Sequence, residues 1–101
     1  FIDFIENEQC QFIESLGVDG LKKFEWYVDE KSNTATLIEE FDNADSFKEI
    51  ATKAIGTPVN LKFREITNFD NMTILGDVSD EMKENLAAMG PKFRTFKAGL
   101  N

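Results

Sequence analysis

The 101-residue sequence has no histidine, one cysteine, one tryptophan, one tyrosine and two prolines. Without histidine, the Ser-His-Asp triads, the commonest haem ligand and most zinc constellations are excluded, and a single cysteine cannot supply a thiolate set in their place. No metal and no cofactor is expected. One cysteine also means that no disulfide can close within the chain, which points to a reducing compartment. Cys10 falls inside an apolar-periodic stretch with no histidine to activate it, so it reads as a buried structural thiol.

Basic residues are also scarce. Eleven Lys and Arg face nineteen Asp and Glu, for a net charge of -8, and only Arg64 and Arg94 could make bidentate phosphate contacts. Nucleic acid and anionic membranes are therefore not expected partners. The acids are spread from Asp3 to Glu84 and never run longer than two, as on a solvated surface. No apolar run approaches the roughly eighteen residues of a membrane span, and no signal-peptide pattern precedes a cleavage site. The expected location is cytoplasmic.

What the chain has in quantity is phenylalanine, ten in all, within a composition that is 42% hydrophobic and 30% charged. A chain of this size can bury roughly 65% of its unfolded surface, and each aromatic ring can bury about 150–250 Å². One domain spanning residues 1–101 with a thin core is expected.

Periodicity supplies the elements. Ile2, Ile5, Phe12, Ile13 and Leu16 share a face at helical spacing, and Gly17 and Gly20 end that helix. From Leu21 the period becomes two, with Phe24, Trp26 and Val28 alternating with Lys23, Glu25 and Tyr27. After a polar turn over Asp29–Asn33, Thr34–Phe41 forms a second strand, with Leu37, Glu39 and Phe41 on one face. The two strands should pair as an antiparallel hairpin. Asn43 caps a helix whose buried stripe is Ala44, Phe47, Ile50, Ala51, Ala54 and Ile55. Thr57 and Pro58 start another, with Val59, Phe63 and Ile66 inward. A strand over roughly Asn71–Leu75, a short helix capped by Ser79 with Met82, Leu86 and Met89 on one face, and a last strand over Lys92–Lys97 complete the chain.

This order is one strand short of a ferredoxin-like βαββαβ unit, so the fold class is α+β. The chain opens at Phe1 directly into a helical pattern, which leads us to expect the first strand upstream of it. Strands with apolar residues on both faces imply a partner, and a homodimer is expected.

Phe24-Glu25-Trp26-Tyr27-Val28-Asp29-Glu30, then Glu39-Glu40-Phe41 followed by Ala44, Asp45 and Ser46, then Gly76-Asp77, and finally Pro91-Lys92-Phe93 with Gly99-Leu100 stand in an order and spacing that resemble one family. That family is the antibiotic biosynthesis monooxygenase-like proteins, which include small quinol monooxygenases. The resemblance spans about residues 20–100. It implies a ferredoxin-like protomer that pairs with a second copy to close a dimeric α/β barrel, with a pocket between sheet and helices. It also implies oxidation of a small electron-rich aromatic or quinol by dioxygen, without flavin or metal, because a phenolate or enolate can itself reduce dioxygen. Two positions depart from the family pattern: Phe41 stands where Trp is frequent, and Ile50 where many members carry His.

Six residues are singled out. Glu39, on a strand face with Leu37 and Phe41, reads as a carboxylate whose pKa is raised toward that of a general base, or as one paired with Arg94 or a neighbouring lysine. Arg94 could hold a carboxylate or developing oxyanion, or serve in an ion pair between strands or subunits. Trp26 is a pocket wall with one N–H donor, or core packing. Phe41, Phe47 and Phe96 would line a ligand pocket for a small aromatic molecule. The alternative to an enzyme is a non-catalytic small-molecule-binding or regulatory homodimer on the same scaffold.

Overall fold

A computed structural model describes residues 1–100. The protein is a mixed α+β chain of helices and two small sheets, and it divides into two compact units, one over Phe1–Thr67 and one from Asn68 onward. Among the described residues, no helix is long and apolar enough to cross a membrane.

The first unit opens with a helical segment in three pieces: α1 (Ile2–Phe4), a π-helical turn (Ile5–Gln9) and α2 (Cys10–Ser15). Phe4, Ile5 and Ile13 are buried along it, and so is Gln9, which stands four residues from each of the two isoleucines and fills the gap in their stripe. Cys10 is exposed, contrary to the buried thiol expected from the apolar pattern around it. The buried stripe runs through Gln9, and its immediate neighbour Cys10 turns off that stripe.

Strands β1 (Leu21–Asp29) and β2 (Thr34–Phe41) form the expected antiparallel hairpin, in a register that sets Phe24 opposite Glu39 and Trp26 opposite Leu37. The four-residue connection is held by local bonds: Asp29 Oδ1 accepts the Lys31 N–H at 3.1 Å, and Asn33 takes the left-handed conformation (φ 56°) that asparagine tolerates better than most residues. The backbone enters β1 through Gly20, which lies buried so close against Ser46 that a Cβ there would collide with the serine side chain. Asp42 N–H closes the same corner with a 2.8 Å bond to the Gly20 carbonyl.

Helix α3 (Ala44–Ala54) is capped by Asn43, whose Oδ1 accepts the Ser46 N–H, and α4 (Pro58–Ile66) by Thr57, whose hydroxyl accepts the Asn60 N–H, with proline in the first turn. Ile50 is the buried anchor of α3, whereas Ile55 is 71% exposed, so the expected stripe ends before it. Ile55 lies beyond the last helical residue with an extended ψ of 133°, which turns its side chain off the helical face. Ile66, the last residue of α4, is likewise exposed. Helix α4 is tied to the π turn by the Lys62–Glu8 ion pair at 2.7 Å, and the Lys62 ammonium also lies 5.5 Å from the centre of the Phe4 ring.

The second unit is a short β-α-β crossover. Strands β3 (Thr73–Leu75) and β4 (Lys92–Arg94) pair in parallel, with Ile74 opposite Phe93. Between them lie α5 (Asp80–Leu86), capped by the Ser79 hydroxyl, and a 3-10 turn (Ala87–Met89) closed by Gly90 at φ 62°. Both strands are shorter than expected. The ladder stops where Gly76 N–H bonds the Arg94 carbonyl, so Phe96 lies outside it and is 75% exposed. The four strands thus hydrogen-bond as two separate pairs.

Candidate functional site

Strand alternation gives the hairpin two unlike faces. One carries Phe24, Trp26 and Val28 from β1 with Ala35, Leu37, Glu39 and Phe41 from β2; the other carries Lys23, Glu25, Tyr27, Thr36, Ile38 and Glu40. On the first face Glu39 is the sole polar side chain, flanked along its strand by Leu37 and Phe41 and across the ladder by Phe24.

Glu39 is half-buried, and burial raises its carboxyl above the ordinary value, since a charge among apolar groups loses hydration that nothing here replaces. Within the first unit no lysine pairs with it and no hydrogen bond reaches it. Phe41 meets Phe47 of α3 edge to face, with ring centres 5.4 Å apart, so an aromatic pair stands beside the carboxyl-bearing stretch of β2. Glu39 and Phe41 thus share one strand face, and Phe41 meets Phe47 of α3.

Trp26 stands on the same face and is held by the N-terminal segment and α4. Its Nε1–H donates to Gln9 Oε1 at 2.7 Å, while Phe1 and Phe63 of α4 approach its ring edge to face at 5.2 and 5.8 Å. The indole N–H is thus engaged by a protein group. Gln9 was not among the residues singled out from sequence, although a lone amide in an otherwise apolar stripe, four residues from Ile5 and from Ile13, is the pattern that marks it.

Arg94 and Phe96 belong to the second unit. Arg94 is exposed and its Nη1–H donates to the carbonyl of Phe93 at 2.9 Å. Phe93 in turn lies under the Lys83 ammonium, 5.5 Å from its ring centre. Among the described residues, no group of three or more acidic, cysteine or histidine side chains could hold a metal ion.

What the hairpin face can do chemically follows from these facts. A carboxyl with a raised pKa among aromatic side chains can take a proton from a bound apolar acid, or donate a hydrogen bond in its neutral form. Compared with known protein families, with curated proteins and with solved structures, the chain matches none.

Proposed function

We propose that this chain oxidises a small electron-rich aromatic molecule or quinol with dioxygen, with Glu39 as the proton acceptor. The observation that supports this most is the half-buried Glu39 carboxyl, on one strand face with Leu37 and Phe41, whose ring meets Phe47. A carboxylate that lacks hydration and partners is more basic than one in water, which suits it to deprotonate a phenol or an activated C–H. The chemistry then belongs to the substrate. A quinol that has lost its protons passes two electrons to dioxygen, giving quinone and hydrogen peroxide. An anthrone-like carbon forms a peroxide with dioxygen and loses water, leaving one oxygen in the new ketone and the other in the water. The apolar face would orient the ring and keep water from the reactive anion.

The scaffold that accompanies this reading is a ferredoxin-like protomer in a dimeric α/β barrel. Its support is physical: among the described residues the only buried side chains are those of Phe4, Ile5, Gln9, Ile13 and Ile50, while Tyr27 and Ile38 stand exposed on the outer hairpin face. A second copy would cover such surface. A reducing cytoplasm suits the exposed free thiol of Cys10.

A second reading, a non-catalytic small-molecule-binding or regulatory homodimer, is favoured by one observation. With the Trp26 N–H taken by Gln9, Glu39 is left as the single polar group on the inner hairpin face. Dioxygen uptake with 1,4-naphthohydroquinone or anthrone separates the two. The enzyme reading expects uptake above the buffer rate that falls to that rate in Glu39→Gln; binding of the same compounds with no uptake by the wild-type chain favours the second.

A further inference from the structure

Between the N-terminal helical segment and strand β1 lies an open cleft of about 390 Å³, lined by Ile2, Ile5, Glu6, Cys10, Trp26 and Val28. Sites for small ligands run from about 300 to 1,000 Å³ and are mostly apolar, with few polar groups to orient what they hold. This cleft has four apolar side chains, a thiol and one carboxylate, and it does not include Glu39.

Two features decide which ligand chemistry fits. The first is the aromatic wall. Trp26 is fixed from three sides by Gln9, Phe1 and Phe63, so the wall is in place before a ligand arrives and little ordering is lost on binding. The second is charge. Glu6 has no ion-pair partner among the described residues, and no lysine or arginine lines the cleft. An indole and an unpaired carboxylate both attract a cation, and the chain's net charge of -8 raises the concentration of cations near its surface.

We propose that this cleft binds a small organic cation: an ammonium group on a flat apolar body, with the body against Ile2, Ile5, Trp26 and Val28 and the charge toward Glu6. Trp26 and Val28 belong to the hairpin face that also carries Glu39, but Glu39 does not line the cleft, and the proposal stands or falls independently of the oxidation reading.

Trp26 is the single tryptophan of the chain, so its emission reports on the cleft directly. The test titrates the whole chain at low ionic strength with phenethylamine, a cation at neutral pH, and with 2-phenylethanol, a neutral analogue with the same ring. The expected result is a saturable change in emission with phenethylamine. Binding should weaken roughly three- to tenfold with 2-phenylethanol and by a similar factor in Glu6→Gln, and should not change in Glu39→Gln. Glu6 is exposed, so its variant should fold, as an unchanged melting temperature would verify. Absence of saturation, equal affinity for the two probes, or unchanged phenethylamine binding in Glu6→Gln overturns the proposal. So does a loss confined to Glu39→Gln, which would put the ligand at Glu39 and not in the cleft.

Discussion

Trp26 of strand β1 donates its indole N–H to Gln9 Oε1 across 2.7 Å, joining the hairpin to the π turn of the N-terminal helical segment. The bond matters because Gln9 is 7% exposed: a buried amide and a half-buried indole each answer the other's need for a partner. π turns occur as single insertions in helices and are frequent at functional sites. Here the turn runs from Ile5 to Gln9, and its last residue carries the amide that meets the indole.

Gln9→Met removes the acceptor and leaves the Trp26 N–H without it. Urea unfolding followed by Trp26 emission should show a loss of about 1–3 kcal/mol. The native emission should also change, because the indole loses its polar neighbour. A loss below about 0.5 kcal/mol would mean that water replaces the amide without cost.

Gly20 is required by close approach and not by backbone angle. The Ser46 side chain occupies the space a Cβ would need. Gly20→Ala should therefore destabilise the chain by about 1–3 kcal/mol, the usual range for overpacking. In Ser46→Gly the same alanine should cost much less, so a double-mutant cycle over the two positions should show favourable coupling. Additive effects would place the strain elsewhere.

The raised pKa of Glu39 has a definite sign for stability. Its folded-state carboxyl holds its proton to higher pH than the unfolded one, so its contribution is fully present below the ordinary value of 4.5 and is lost as pH rises through the folded-state value. Glu39→Gln, a neutral side chain of the same shape, should melt higher than the wild type at pH 7. The gap should close as pH falls to about 4 and below. A variant that melts lower at pH 7 would show that the ionised carboxylate is stabilised by a partner.

Much of the first unit was legible in its residues. Period-two alternation from Phe24 to Val28 and from Thr34 to Phe41, with a polar turn between, points to a hairpin that sets Trp26 and Leu37 on one face. The caps at Asn43, Thr57 and Ser79 were legible for the same reason: a side-chain oxygen ahead of an apolar helical stripe has one favoured use. Glu39 could be placed among apolar neighbours because β alternation is local.

What was not legible depended on contacts distant in sequence. Local pattern could not show that the Trp26 donor is spent on a residue 17 positions earlier, or that Cys10 turns outward beside a buried Gln9. The extent of β3 and β4 was equally hidden. Three ladder positions form there, and Phe96, apolar and alternating with Thr95, lies beyond the last of them. Parallel pairing depends on where a crossover returns the chain, which period alone does not specify.

The account turns on Glu39 as an isolated carboxyl among apolar side chains. Its most direct test is a carbon-13 NMR titration of the Glu side-chain carboxyls, with the Glu39 signal assigned by its absence in Glu39→Gln. The account predicts a midpoint above the ordinary 4.5. A midpoint at or below that value would contradict it, because the carboxyl would then be hydrated or paired and would have no more basicity than any surface glutamate.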